Sequence, residues 1–236
     1  MNWVLMPVHN AVELTKRAVQ SIQEQDIPVS LFIVDDASTD DTPLYLNKLL
    51  GEWSRMDSVI RVRCFNSPIG VSKAWNLGLD YIFKHAAHAL VVNNDVLLRP
   101  DTYRKLLAEG GQFVTAVGNS VEENWQGSEE IAPGRRPHPD FSCFMIRRTA
   151  WTYVGKFDEE MVMYASDADF HVRLHQHGIE AYCINLPFYH YASGTLKTST
   201  PEERDRIQRQ ADSDRETFFR KYGVSIGSPA YYELFK

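Results

Sequence analysis

The sequence predicts an α/β fold: a mostly parallel central sheet with helices on both faces. Three observations carry this. Short apolar runs alternate with amphipathic helical runs through the first half of the chain, helix-start signals stand between them, and each apolar run ends in a polar cluster. Repeated β-α units need crossover connections, and right-handed crossovers cover both faces of a parallel sheet in a Rossmann-like topology.

Trp3–Val8 reads as the first strand. Asn10-Ala11-Val12-Glu13 fits a capping box, with Asn10 as N-cap and Glu13 reaching back. Leu14, Ala18 and Ile22 then recur at helical spacing. Val29–Val34 is a second strand ending in Asp35-Asp36, and Thr42-Pro43 starts a helix with proline at its first position. Val59–Phe65 and Val71–Lys84 repeat the pattern, as do Leu90–Val92 and Asp101–Glu109.

The second half is less regular. Phe113–Gly118 and Phe141–Arg147 are strands separated by a long polar stretch, Asn119–Asp140. A connection of that length inside a compact domain is usually functional or disordered. Asp167–His177 is a helix that Gly178 ends, Ala181–Ile184 a late strand, and Pro201–Tyr222 a charged terminal helix with Ile207, Phe218 and Phe219 turned inward.

Hydrophobic residues make up 44% of the chain, enough for a sizeable core without staples. A net charge of −6 argues against a nucleic-acid partner. No apolar run approaches the ~20 residues that span a bilayer, and the first residues lack the basic start of a signal peptide. Cys64, Cys143 and Cys183 have no metal-ligand spacing and lie in apolar stretches, so reduced core thiols and a cytoplasmic location are expected.

Four polar clusters follow the first four strands: Pro7-Val8-His9-Asn10, Asp35 to Asp40, Asn66 to Gly70, and Asn93-Asn94-Asp95. In a parallel sheet these tips share one edge and converge on one crevice, where such folds bind ligands. Neither a dinucleotide-type nor a Walker-type glycine loop is present. Acidic groups facing a phosphorylated ligand need a bridging cation, and Asp95 is a hard oxygen ligand for one.

With these residues in place, the chain resembles the family 2 glycosyltransferases of the GT-A fold. The resemblance rests on Pro7-Val8-His9-Asn10, Val34-Asp35-Asp36-Ala37-Ser38-Thr39-Asp40-Asp41-Thr42, and Asn66, Gly70, Ala74, Asn76 and Gly78. It continues through Asn93-Asn94-Asp95, Gly155-Lys156-Phe157-Asp158-Glu159 and Ser166-Asp167-Ala168-Asp169 with Arg173, in the family's order from Val4 to about His190. It implies a single GT-A domain over residues 1–222, with a nucleotide-binding half (1–100), an acceptor and metal half (101–200) and a C-terminal helix (201–222), followed by a tail (223–236).

The resemblance also implies roles. Pro7, His9 and Asn10 form the loop beneath the nucleotide, Asp36 contacts the base, and Gly70 and Asn76 belong to the donor site. Asn94 faces the ribose, and Asp95 ligates Mn²⁺ or Mg²⁺ in a reduced Asp-x-Asp element whose first acid is Asn93. His190 resembles a late histidine that completes the metal site; by its sequence context it is equally a packed core histidine. Asp167 resembles the catalytic base, in a place where the family usually writes Glu-Asp and this chain has Ser166-Asp167. Asp169 is the alternative base. Trp125, in the long stretch, either stacks on a sugar or anchors its loop.

These roles imply inverting transfer from a nucleotide sugar, UDP-linked by default and dTDP- or GDP-linked as alternatives, to a glycan, lipid-linked or protein acceptor. Two rivals stay open. A sugar-1-phosphate nucleotidyltransferase would share sheet, nucleotide and metal but normally needs a basic glycine loop after the first strand. A non-catalytic nucleotide- or glycan-binding relic is favoured by Asn93 and Ser166.

Overall fold

In the computed structural model, residues 1–53, 58–119, 139–191 and 200–236 are described. The first half runs β1 (Trp3–Val8), α1 (Val12–Gln23), β2 (Ser30–Asp35), α2 (Thr42–Glu52), β3 (Ile60–Cys64), α3 (Val71–Ile82), β4 (His88–Val92), β5 (Val96–Leu97) and α4 (Thr102–Ala108). The second runs β6 (Phe113–Asn119), β7 (Cys143–Arg147), α5 (Arg148–Val154), α6 (Ser166–Gln176), β8 (Ala181–His190), α7 (Pro201–Tyr222) and α8 (Pro229–Glu233).

Side-chain alternation along β1 explains the layering. Val4, Met6 and Val8 enter one apolar cluster, whereas Trp3 and Leu5 enter another. Successive residues of a strand point to opposite faces, so a strand apolar on both is buried on both. Helices α1, α2 and α4 cover the first face through Ala18, Ile22, Leu46 and Leu106. Helices α3, α5 and α6 cover the second through Leu79, Ala150 and Phe170.

The sheet order is β3-β2-β1-β4-β7-β6-β8-β5. The expected parallel pairing is present in the block β3-β2-β1-β4, with Val8 level with Asp35 and Asp35 level with Cys64. Beyond it β7 runs antiparallel between β4 and β6, and β5 runs antiparallel to β8. The sheet is therefore mixed, though most strands point one way.

Four local expectations need correction. The capping box at Asn10 does not form: Ala11 holds the N-cap position of α1 with no side-chain cap. Asp40 supplies the cap from the neighbouring loop, its Oδ2 accepting from Val12 N at 3.0 Å and its Oδ1 from Thr42 N at 3.0 Å. Burial works against that charge, but hydrogen bonds from the Thr42 side chain and backbone and from Val12 outweigh it and hold the Asp40 carboxyl below its usual range. The late strand continues past Ile184 to His190. A shift in the β6–β8 register between Thr115 and Val117 absorbs the extra residues, and Pro187, lacking an N–H, follows it.

The C-terminal tail is also structured. Helix α8 packs Tyr231 with Met161, Ala165, Ala168, Val172 and Phe218 in a third cluster behind α6. Cys143 and Cys183 are buried free thiols as expected, but Cys64 is exposed on β3. No helix among the described residues is long and apolar enough to cross a membrane.

Candidate active site

The carboxyl edge of the parallel block is built from interlocked loops. Asn10 donates its backbone N–H to Ser38 Oγ at 2.8 Å, and its Oδ1 accepts from Thr39 N at 2.7 Å. His9 Nδ1 lies 2.7 Å from the Asp36 carbonyl oxygen. Pro7 is not in the loop itself: it is buried in β1 opposite Val34 and forms the floor. Asn10, Ala11, Ala37 and Ala165 all have φ near +60°, and they are the non-glycine residues with positive φ among the described residues. Each such residue costs on the order of 1–3 kcal/mol and persists only where its surroundings over-determine it, which is characteristic of functional sites.

Asp36 is held by the next loop. Its Oδ1 accepts from Ile69 N at 2.5 Å and its Oδ2 from Gly70 N at 3.0 Å. One backbone bond per oxygen leaves each a second acceptor position for a ligand N–H or hydroxyl. Gly70 has φ +85°, and a Cβ there would lie 2.3 Å from a Val162 side-chain carbon. This position therefore requires glycine twice over, for conformation and for close approach.

Asp95 and His190 meet at the far side of the crevice. His190 Nε2 stands 3.4 Å from Asp95 Oδ1, and its Nδ1 lies 3.3 Å from Ser142 Oγ. Antiparallel pairing of Val96 with His190 and the bond from Tyr191 N to the Asp95 carbonyl at 3.0 Å fix this approach. One carboxylate and one imidazole suit Mn²⁺ or Mg²⁺, which typically takes one or two protein ligands and completes its shell with water and substrate phosphates. Among the described residues no group of three or more His, Cys, Asp or Glu side chains forms a fuller cage.

Two of the expected donor residues turn their side chains into the protein. Asn94 Nδ2 donates to the Asn10 carbonyl at 3.1 Å and to Thr15 Oγ1 at 3.0 Å, tying the end of β4 to the start of α1. Asn76 Nδ2 donates to Phe157 O and Glu159 Oε1, both at 2.9 Å, while its Oδ1 accepts from Phe157 N at 2.9 Å. The side chain of Asn76 is thus spent on clamping α3 to the segment before α6. The long stretch Asn119–Asp140, with Trp125, lies outside the described residues apart from its ends.

A cavity of about 500 Å³ opens between Asn93, Ser142, Trp75, Tyr164, Asp140 and Asp167. Asp167 begins α6 behind Ala165, whose left-handed conformation turns the chain into the helix. Phe170, one turn on, stacks on Phe157 at 4.2 Å and seats the helix in the core. The Asp167 side chain faces solvent at the cavity mouth, yet protein atoms surround it. This desolvation raises its pKa, and the Asp140 carboxylate raises it further, against a hydrogen bond from Ala168 N at 2.8 Å.

Asp169, named above as the alternative base, is tied up by its partners. It is fully buried, with Oδ2 held by Arg173 Nε and Nη2 at 2.8 Å and Oδ1 by Lys221 Nζ at 2.7 Å and Tyr222 OH at 2.8 Å. Both oxygens are engaged and neither reaches the cavity. Sequence reasoning missed Asp140, whose only signal is its place just before β7. It also missed Asp214, which is fully buried although the helix that carries it reads as a solvated, charged face. Ser142 faces the site, whereas Cys143 points into the core.

Interlocked loops at the carboxyl edge, an acid–imidazole pair and a cavity that holds a carboxylate with raised pKa make up the candidate site. The family model for glycosyl transferase family 2 matches residues 3–160, and the chain belongs to that family. The fold is GT-A. TarS residues 1–349 from S. aureus, solved with UDP, is 17% identical with a TM-score of 0.63, over 95% of this chain and 73% of that one. The mannosyltransferase PcManGT from Pyrobaculum calidifontis, solved with GDP-Man and Mn²⁺, is 17% identical with a TM-score of 0.64, over 99% of this chain and 67% of that one. GalNAc-T7, solved with UDP, GalNAc and Mn²⁺, is 13% identical with a TM-score of 0.67, over 80% and 43%. No curated protein matches the chain. Asp167, His190 and Asp214 lie beyond the stretch that the family model matches.

Proposed function

We propose that this protein is an inverting, metal-assisted glycosyltransferase that moves a sugar from a nucleotide-sugar donor to an acceptor hydroxyl. A UDP-sugar is the first candidate, with dTDP- and GDP-sugars as alternatives. The observation that carries the reading is the arrangement of one crevice: Asp95 and His190 at one wall, linked through Ser142 to the cavity that holds Asp167.

Asp36, His9, Asn10 and Gly70 form the nucleotide end, with Asp36 accepting from base or ribose and Pro7 and Asn94 supporting the loop from below. Asp95 and His190 would hold Mn²⁺ or Mg²⁺, which when bound neutralises the departing diphosphate as a Lewis acid. Asp167 accepts the proton of the acceptor hydroxyl while that oxygen bonds to the anomeric carbon and the carbon–diphosphate oxygen bond breaks on the opposite face. Its raised pKa suits this task, because a carboxylate that is harder to ionise is a stronger base. The acceptor is a glycan, lipid-linked or protein hydroxyl that enters beside Trp75 and Tyr164.

A thermal-shift screen of UDP-, dTDP- and GDP-sugars with and without Mn²⁺ tests the donor. One nucleotide class should stabilise the protein more with Mn²⁺ than without. Asp167→Asn should then abolish transfer and keep that stabilisation. Full transfer by the variant would sink the assignment of the base.

A further inference from the structure

Helix α7 braces the segment before α6 through one buried acid. Asp214 is fully buried, and its carboxylate gathers three consecutive backbone N–H groups from the segment before α6. Val162 N donates to Oδ1 at 3.1 Å, and Met163 N and Tyr164 N donate to Oδ2 at 2.8 Å each. Gln210 Nε2, one turn earlier on α7, donates to Oδ1 at 2.8 Å. Two oxygens thus meet four donors, which saturates a carboxylate. Successive N–H groups turned to one point form a concave anion site, filled here by a side chain of the protein itself.

The segment is pinned from the other side by α3. Ser72 Oγ donates to the Met161 carbonyl, Ser72 N to the Val162 carbonyl at 3.4 Å, and Gly70 leaves room for Val162. Between these anchors, Met163 and Tyr164 reach the cavity wall, and Ala165 at φ +63° hands the chain to Ser166 and Asp167.

We propose that Asp214 is a positioning residue for the acceptor half of the site. It acts through the Val162–Tyr164 backbone to set both the cavity wall and the entry of Asp167, while the nucleotide half stands without it. This rests on the glycosyl-transfer reading for its catalytic consequence but not for the clamp itself. Asparagine at 214 matches the shape but must turn its NH₂ toward one of the two N–H pairs, so donors face donors.

The test uses the full chain and three readouts. In Asp214→Asn, amide exchange over residues 162–164 should accelerate, while the affinities for UDP and GDP with Mn²⁺ stay at wild-type values. Among UDP-glucose, UDP-N-acetylglucosamine, UDP-galactose, dTDP-glucose, dTDP-rhamnose and GDP-mannose, the donor that wild type consumes should show a kcat lower by about 100-fold with unchanged donor KM, the scale set by small misplacements of reacting groups. Gln210→Met removes one of the four donors at similar volume and should show the same split at smaller size, which keeps the proposal testable if Asp214→Asn does not fold. Wild-type amide exchange at 162–164 in a folded variant overturns the clamp. Parallel losses of nucleotide affinity and kcat overturn its restriction to the acceptor half. If wild type consumes no donor, the transfer reading fails, and the exchange and nucleotide-affinity arms still decide the clamp.

Discussion

Asp95 Oδ1 and His190 Nε2 lie 3.4 Å apart because β5, only two residues long, pairs with the end of β8. A short strand of this kind has no stability of its own; its role is to bring the acid of one half of the domain against the imidazole of the other.

If this pair holds the cation, Asp95→Ala should remove the Mn²⁺-dependent part of the thermal shift given by UDP or GDP. Ser142→Ala should weaken Mn²⁺ by about 10–100-fold, since Ser142 Oγ orients the other ring nitrogen. Titration of Mn²⁺ at fixed nucleotide measures both. An unchanged midpoint in Asp95→Ala would contradict the metal assignment.

The raised pKa of Asp167 has two consequences. Transfer should lose activity on acidification with a midpoint above the ordinary aspartate value of about 4. Stability should respond in the opposite sense: between the unfolded and the raised folded pKa the native state binds the extra proton, so stability falls as pH rises through that window. Asp167→Asn should therefore be more stable than wild type at neutral pH and equal to it in acid. Urea midpoints at several pH values measure this, and a less stable variant at pH 7 would argue against it.

Asp169 should behave as a structural acid. Removing the charge of Asp169 leaves the half-sealed Arg173 without its ion-pair partner and Lys221 with Asp158 alone, and Asp169→Asn should cost about 3 kcal/mol. At a temperature where the variant stays folded, its kcat should remain within a fewfold of wild type. A loss of kcat with stability intact would move the base from Asp167 to Asp169.

Gly70→Ala meets both an unfavourable φ and a Val162 carbon at 2.3 Å. It should destabilise by about 2 kcal/mol. It should also weaken UDP or GDP binding by about tenfold, or about 1.4 kcal/mol, because Gly70 N holds Asp36. Denaturation and nucleotide titration report the two effects separately.

The sequence by itself determined the four β-α units of the first half, their parallel pairing, and the convergence of their polar tips. These follow from local hydrophobic pattern, strand direction and an ordered set of motifs, all of which are written along the chain. Only the tertiary structure decided what each polar group does. Asn76 and Asn94 stand in the expected motifs, but their amides are spent on Phe157, Glu159, Asn10 and Thr15. Asp167 and Asp169 sit two positions apart, yet one opens on the cavity and the other is sealed by Arg173, Lys221 and Tyr222. Asp214 lies in a run of charges that reads as solvated and is instead the anchor of the site's wall. The physical reason is common to all of them: a polar side chain takes its role from the donors and acceptors that folding brings to it, and those come from elements distant in sequence.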